Sequence, residues 1–155
     1  MAALALASVL NLWRQLRWHP LATLQRPILW ILHFSYLWLS LGFALLAMAQ
    51  LGWMPTSVGV HALAVGGTGG LIMGMMTRTS RGHTGRALQV DRLEVVAYVL
   101  VMLAAVLRVL LPMLMPAWYA FSLMASATAW SAAFLIFMWR YTPWLVTTRI
   151  DGKDG

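Results

Sequence analysis

The sequence contains no cysteine. This absence excludes disulfide bonds, thiolate metal sites and cysteine nucleophiles. Any metal bound by this chain must therefore be held by imidazole, thioether or oxygen ligands. The chain offers four histidines and eleven methionines for that purpose.

Charged residues are scarce, and acidic residues are the scarcest. Of the 155 residues, 10% are charged and 61% are hydrophobic, whereas soluble domains carry about 25% charged residues. This composition predicts an integral membrane protein. The net charge of +7 comes from basic residues that fall between apolar runs, which indicates membrane topology and not nucleic-acid binding.

The first apolar run, MAALALASVLNLW, is too short to cross a bilayer. It covers about 13 residues, and a spanning helix needs roughly 20. It also lacks the basic segment that opens a signal peptide. We predict that residues 1–26 form an N-terminal interfacial segment, whose helix lies in the membrane plane with Trp13, Arg14, Arg17 and Trp18 at the interface.

Four longer apolar runs follow. Each has roughly 19 to 23 residues, which at about 1.5 Å per residue is enough to cross ~30 Å of hydrocarbon. The predicted spans are residues 28–49, 58–79, 93–111 and 117–139. The predicted fold class is all-α, an integral membrane four-helix bundle over residues 27–142 with an N-terminal interfacial helix. A polar tail over residues 143–155 follows, and Pro112 and Pro143 should lie just past helix ends.

The basic residues predict the orientation of the spans. Arginines cluster before the first span, between the second and third spans, and after the fourth span, where Lys153 joins them. The two other loops contain no Lys or Arg, and Arg108 is the one basic residue near their side of the membrane. By the positive-inside rule, both termini and the tail are predicted to be cytoplasmic.

The second span contains a ridge of glycines. Gly66, Gly70 and Gly74 recur at intervals of four and therefore share one helix face. The fourth span has alanines at the same spacing: Ala125, Ala129 and Ala133. These alanines are the expected packing partner of the ridge. Two interpretations of the ridge stay open at this point, helix packing and a porphyrin lying against the glycines.

Two histidines fall within the predicted spans. His33 lies about five residues inside the first span, and His61 lies near the outer end of the second. Ionisable residues within spans are costly and rare, so each histidine is a candidate for a binding site. The alternative for each is an interhelical hydrogen bond from a neutral imidazole, a common packing device in membranes.

The stretch MTRTSRGHTGR, residues 76–86, places arginines around a third histidine at the end of an apolar span. Arg78, Arg81 and Arg86 are close enough in sequence to meet one anionic group, and their guanidiniums suit carboxylates and phosphates. The glycines on both sides of His83 are expected to free the backbone there. Heme propionates and lipid phosphates are the two candidate anions.

The acidic residues suggest no hydrolytic site. Asp91 and Glu94 are expected at the membrane surface, where the third predicted span begins, and Asp151 and Asp154 in the tail, so no acid is expected deep within the hydrocarbon. The sequence leaves open whether the protein is an enzyme. A catalytic role would have to belong to a bound metal or cofactor.

The stretch HALAVGGTGGLIMGMMTRTSRGHTGRAL, residues 61–88, resembles the NnrS family of bacterial membrane proteins. The GHTGR ending is the most specific part of this resemblance, which covers roughly residues 10 to 140. Members of the family are longer and have more spans, so the chain is similar to their C-terminal part. The resemblance implies a bacterial inner (cytoplasmic) membrane location, heme b and copper as cofactors, and a role in the response to nitric oxide.

Span depths suggest how the histidines divide between cofactors. Because neighbouring spans are antiparallel, His33 and His61 should lie near opposite sides of the membrane, too far apart to share one heme. We predict that His33 and His83 serve a heme on the cytoplasmic side, with Arg78 and Arg86 at its propionates. A thioether from Met75 or Met76 is the alternative to His83 as an axial ligand, because the backbone at His83 would have to turn inward for its imidazole to reach the iron.

His61 is predicted to serve a separate site on the outer side. Methionines also fall near the outer helix ends: Met48, Met54, Met113 and Met115. Imidazole and thioether ligands together suit Cu(I), although methionine is also a common filler of apolar gaps. A second heme that uses His61, with Arg108 near its propionates, is the other interpretation.

Three functions compete on this sequence. The leading one is a heme-binding membrane protein of NnrS type that acts in nitric oxide or respiratory metabolism. The alternative is a cofactor-free accessory subunit of a respiratory membrane complex, docked through small-residue surfaces. A small transporter is a weaker candidate because the spans show no buried acid. Besides the lipid bilayer, the expected partners are other membrane subunits or further copies of this chain.

Overall fold

The computed structural model describes residues 1–152. Within these residues the chain forms five α-helices joined by short turns, and it contains no β-strand. The helices are α1 (Ala2–Arg17), α2 (Pro27–Gln50), α3 (Thr56–His83), α4 (Arg92–Leu114) and α5 (Tyr119–Leu145). The middle of α3, Ala62–Gly69, is π-helical. The predicted all-α class is confirmed.

Four of the helices, α2 to α5, are long and apolar enough to cross a membrane, as predicted. Two of them continue beyond the predicted spans with polar residues, α3 to His83 and α5 to Leu145, and α4 runs on to Leu114. Backbone hydrogen bonds within a helix do not require apolar side chains. Hydropathy therefore marked the part of each helix that suits hydrocarbon and missed its polar continuation.

Two prolines expected beyond helix ends lie inside helices, Pro112 in α4 and Pro143 in α5. Each lies within the last turns of its helix, where the missing N–H removes one intrahelical hydrogen bond without ending the helix. The tail predicted over residues 143–155 therefore begins as helix. Residues 153–155, which include Lys153, lie outside the described residues.

Two buried clusters fill the bundle, one toward each end. The larger cluster consists of Ile31, Met73, Ala97, Tyr98, Val101, Ala133, Phe137 and Tyr141. The smaller cluster consists of Trp38, Leu45, Ala62, Ala105 and Val109. Both clusters take side chains from α2, α3 and α4, so these three helices form the centre of the bundle.

The glycine ridge of α3 packs against α2. A Cβ atom at Gly66 would overlap the Trp38 ring, and one at Gly74 would lie 2.7 Å from Leu32 Cδ2. Side chains of α2 therefore fill the space that the glycines leave open. Of the two interpretations, helix packing is the one that the structure shows.

The alanine-bearing helix α5 packs mainly along α4, and not along the glycine ridge as expected. Ser122 Oγ donates a hydrogen bond to the Leu107 carbonyl at 2.5 Å, and Ser126 Oγ donates one to the Ala104 carbonyl at 2.8 Å. Ala133 on the same helix is fully buried. Interhelical hydrogen bonds and small residues thus join α4 and α5 closely.

The predicted N-terminal helix is present and lies antiparallel beside α2. Ser8 Oγ donates to the Ser40 carbonyl at 2.7 Å, and Gln15 Nε2 donates to the His33 carbonyl at 2.7 Å. From Ser8 to Gln15 the residue number on α1 rises, while the residue number of the partner on α2 falls from 40 to 33. The first residues of α1 therefore point toward the far end of α2, away from Pro27.

The outward surface of α1 is apolar as far as Trp13, and the exposed Arg14 and Arg17 follow in its last turn. Leu6, Val9 and Trp13 are exposed, while Ser8 and Gln15 turn toward α2. A helix lying in the interface would instead turn its polar face to water. The in-plane position of α1 stays a prediction, and these contacts favour an upright helix that meets lipid with its apolar face and α2 with its polar face.

Candidate functional site

The start of α2, the end of α3, the start of α4 and the end of α5 meet at one end of the bundle, which we call the basic end. Its arginines include Arg26, Arg78, Arg81, Arg86, Arg92 and Arg140. Two acids, Asp91 and Glu94, lie among them. The functional question is which arginines these acids neutralise and which remain available to a ligand.

Arg81 and Glu94 form a buried ion pair. Arg81 Nε donates to Glu94 Oε1 at 2.9 Å, and Arg81 Nη2 donates to Glu94 Oε2 at 2.7 Å. The Tyr141 hydroxyl also hydrogen-bonds Glu94 Oε1, and Arg81 Nη1 donates to the Ala87 carbonyl at 3.0 Å. The Glu94 side chain is 2% exposed. Glu94 is therefore buried inside the bundle, where these donors satisfy its carboxylate, and its expected depth at the membrane surface stays a prediction.

Glu94 has a second role at the start of α4. Its Oε2 accepts the Asp91 backbone N–H at 2.6 Å, while Asp91 Oδ1 accepts the backbone N–H groups of Leu93 and Glu94. This reciprocal arrangement is a capping box. The acid-x-x-Glu spacing of residues 91–94 is the sequence signal for this helix start.

Three guanidiniums lie over the ring of Trp144. The guanidinium carbons of Arg86, Arg140 and Arg81 lie 4.2 Å, 4.5 Å and 5.4 Å from the centre of its ring. Arg140 also forms an ion pair with Asp91 at 2.5 Å. Arg86, a predicted anion-binding residue, therefore already has an aromatic partner, and it also donates to the Thr84 carbonyl at 3.4 Å. Cation–π contacts of this kind fix the end of α5 on the α3–α4 loop.

The chain after α5 folds back onto this loop. Gly85 has a positive φ of 73°, and a Cβ atom at this position would lie 2.8 Å from Asp151 Cγ. Two hydrogen bonds from Arg149 to Asp151 raise the pKa of the Arg149 guanidinium above its ordinary value. Gly85 is thus the glycine that the turn requires, whereas Gly82 lies within α3.

Arg78 remains available. It is exposed and has no hydrogen bond or ion pair to any described residue. With Arg26 it lines a cavity of about 760 Å³ between the start of α2 and the loop before α4, which we call the basic cavity. Gln25 and Gln89 supply further polar groups in its wall. Two unneutralised arginines in one cavity favour an anionic ligand.

His83 lies beside the basic cavity. It is the last residue of α3, is exposed, and lines a smaller cavity of about 340 Å³ with Met75 and Arg78. Arg78 and Leu88 line both cavities, so the two share a wall. The structure thus brings together an imidazole, a thioether and Arg78, three of the groups that the sequence had singled out. Met76 packs instead against the larger buried cluster.

His33 lies in different surroundings. Its ring packs edge-on to Trp18 with 6.4 Å between ring centres, and it lines a cavity of about 190 Å³ between α1 and α2. Among the described residues, the lining of this cavity shares no member with that of the His83 cavity. The pairing of His33 with His83 on one heme therefore stays a prediction, and the two histidines line separate cavities.

His61 is held by Arg108 near the opposite end of the bundle. Arg108 Nη2 lies 2.9 Å from His61 Nε2, and His61 Nδ1 lies 2.6 Å from the Ser57 carbonyl. A guanidinium can only donate, so Nε2 accepts and Nδ1 carries the proton. This is the interhelical hydrogen bond of a neutral imidazole that the sequence offered as the alternative to a metal site.

Among residues 1–152, no group of three or more His, Asp or Glu side chains is placed to hold a metal ion. The three candidate histidines lie in three separate environments. A heme needs only one or two protein ligands to its iron, so this arrangement weighs against a multi-ligand ion site more than against a heme.

The helices and the basic end define a multi-pass helical membrane protein with an open, positively charged cavity at one end. Over residues 1–149 the chain matches the family model described as NnrS protein, and it therefore belongs to the NnrS family. The family prediction is confirmed, and the matched range includes all five helices. No curated protein and no solved structure matches the chain.

Proposed function

We propose that this chain binds heme b at its basic end and acts in the nitric oxide response of a bacterial inner membrane. The observation that carries the proposal is the pair of adjoining cavities in which His83 and Met75 lie beside the unneutralised Arg78. The volume of the basic cavity, about 760 Å³, falls within the roughly 300–1,000 Å³ of ordinary ligand pockets. Membership of a family described as containing heme supports the proposal.

The residues present fit the group. The His83 imidazole would bind the heme iron, and the Met75 thioether in the same wall is the alternative ligand. Arg78 and Arg26 would bind the propionates, because forked guanidinium donors match carboxylates. Arg86 is predicted to join them only if it leaves Trp144. When bound, the heme supplies an iron that can bind nitric oxide or exchange one electron.

The other two histidines fit a cofactor less well. The cavity beside His33 measures about 190 Å³, below the roughly 300 Å³ at which drug-sized ligands are accommodated. At His61, a copper ion would have to displace the Arg108 guanidinium from Nε2, and the two cations would repel each other. We therefore derive no copper site from His61. A second heme there would require the same displacement.

Titration of the purified protein with hemin tests the proposal. Wild-type protein in detergent micelles should show a saturable Soret band, and the ferrous form should shift on addition of nitric oxide. His83→Ala should weaken binding by at least about tenfold, because losing even an outer-shell partner of a metal ligand costs about that much. His19→Asn is the matched control, since His19 is exposed, lies outside the three cavities and has a positive φ that asparagine tolerates.

Two outcomes would contradict the proposal. If the wild-type protein binds no heme saturably, the chain is better described as the cofactor-free accessory subunit. If His83→Ala and His19→Asn bind heme equally and only His33→Ala loses it, the site lies between α1 and α2 instead.

A further inference from the structure

The cavity between α1 and α2 has a composition unlike that of the basic cavity. It is walled by the end of α1, the turn Pro20–Thr23 and the first half of α2. Its volume is about 190 Å³. Most of its lining is leucine, proline or an aromatic side chain: Leu12, Leu16, Pro20, Leu21, Leu24, Trp30, Phe34 and Leu37. Only Gln15 and His33 add polar side chains to this wall.

Gln15 is buried with half of its amide unsatisfied. The residue is 5% exposed, and its Nε2 donates to the His33 carbonyl at 2.7 Å. Its Oε1 accepts no hydrogen bond from any described residue. A buried amide oxygen without a donor costs free energy, so this atom would gain from a ligand that brings an O–H or N–H group.

His33 supplies the second polar group. Its imidazole has no hydrogen-bond partner among the described residues and touches the edge of Trp18. In its neutral form an imidazole can donate from one nitrogen and accept at the other. Of the two polar residues that line this cavity, Gln15 therefore has an acceptor without a donor, Oε1, and His33 is an adaptable group.

We propose that this cavity binds the head group of a membrane quinol, a single aromatic ring that bears hydroxyl groups. One hydroxyl donates to Gln15 Oε1, and His33 binds the other oxygen. An apolar cavity of about 150 Å³ can hold benzene, so a cavity of about 190 Å³ has room for one substituted ring. The apolar residues at its rim, among them Leu21, Leu24 and Leu37, are exposed, which gives the lipid tail a path into the bilayer.

The unsatisfied acceptor favours the reduced form. A quinone carbonyl can only accept hydrogen bonds and would leave Gln15 Oε1 unpaired, whereas a quinol hydroxyl satisfies it. This site uses His33 as a hydrogen-bonding group and needs no heme. It is therefore independent of the function proposed for the basic end, and each can fail without the other.

The direct test compares two ligands on the unmodified protein in nanodiscs. Tetramethylhydroquinone has two hydroxyl donors, and its 1,4-dimethyl ether has the same ring with no donor. Ligand-observed NMR should show saturable binding of the diol and binding of the diether that is weaker by about tenfold, the effect of losing one buried hydrogen bond. Equal binding of the two ligands, or no saturable binding of the diol, would overturn the proposal.

Variants then locate the site. Gln15→Leu should weaken binding of the diol about tenfold, whereas Gln50→Leu, at an exposed position at the end of α2, should not change it. Because Gln15→Leu also removes a bond between α1 and α2, Leu37→Trp provides a second variant that fills the cavity and keeps Gln15. It should abolish binding of both ligands. Unchanged diol binding in Leu37→Trp would place the ligand elsewhere, and hemin titration of all three variants should remain as in the wild type.

Discussion

Arg81 and Glu94 join the end of α3 to the start of α4 through two parallel hydrogen bonds, Nε to Oε1 at 2.9 Å and Nη2 to Oε2 at 2.7 Å. Because Glu94 also hydrogen-bonds Tyr141, the pair holds the end of α5 as well. Three helices thus converge on one buried carboxylate. This explains why an arginine-rich loop carries a glutamate directly after it.

Removing one partner of this pair should destabilise the protein strongly. Glu94→Gln leaves the Arg81 guanidinium buried without its counter-charge, which in comparable pairs costs about 3–5 kcal/mol. The double substitution Arg81→Met with Glu94→Gln should recover part of that loss, since no unpaired charge remains. Thermal unfolding in detergent measures the effect, with Arg92→Gln at an exposed neighbouring position as the control. Purely additive effects of the two substitutions would show that the residues do not form a coupled pair.

The glycines of α3 should respond to alanine in opposite ways. A Cβ atom at Gly70 would overlap Ser35 Oγ of α2 and Met102 Cε of α4, so Gly70→Ala should force the helices apart and destabilise the bundle by about 1–3 kcal/mol. A Cβ atom at Gly82 would meet nothing within 4 Å. Gly82→Ala should therefore be neutral or stabilising by up to about 1 kcal/mol, because alanine favours the helix. Equal unfolding temperatures of the two variants would contradict the packing of the ridge on α2.

Arg78 and Arg26 should determine the affinity of the basic cavity for anionic ligands. Arg78→Gln should weaken heme binding by about 1.5–3 kcal/mol, the value of a hydrogen bond to a charged group, and Arg78→Lys should restore only part because an ammonium lacks the planar fork. Arg17→Gln, on α1 beside Trp13, is the control. Hemin and its dimethyl ester, which has no free propionates, should be titrated in parallel. If Arg78→Gln weakens binding of both equally, the arginine acts on something other than the propionates.

The sequence predicted the elements of this fold well, because long apolar runs and arginine-rich loops constrain a membrane protein tightly. It did not predict how the helices pair. The alanines around Ala129 and the glycines around Gly70 have the same spacing, and spacing alone does not reveal that α2 fills the glycine ridge while serines such as Ser126 join α5 to α4. Those pairings depend on side chains from distant parts of the sequence.

The candidate site was predictable in composition and less so in arrangement. The sequence singled out Arg78 and His83, which share one cavity wall, and it placed His61 and Arg108 near the same side of the membrane. It missed Glu94, because a carboxylate next to a basic loop is usually solvated. Its burial depends on Arg81 and Tyr141, and no local pattern relates those two residues to it.

Labelling of single cysteines should reveal the membrane topology, and the absence of native cysteine makes this experiment clean. The arginines of the basic end predict that it faces the cytoplasm. An impermeant maleimide applied to intact spheroplasts should therefore label Thr56→Cys, at the start of α3, and should label Thr148→Cys, just after α5, only once the membrane is permeabilised.

The informative position is Ala3, near the start of α1. The sequence alone predicts a cytoplasmic N-terminus with α1 lying in the interface, so that Ala3→Cys would label together with Thr148→Cys. The contacts of Ser8 and Gln15 instead direct α1 along α2, and its 16 residues extend about 24 Å at roughly 1.5 Å each. We expect Ala3→Cys to label with Thr56→Cys, from the outer side. If Ala3→Cys is labelled under the same conditions as Thr148→Cys, α1 lies in the membrane plane. The quinol site between α1 and α2 would then lack the upright helix that forms one of its walls.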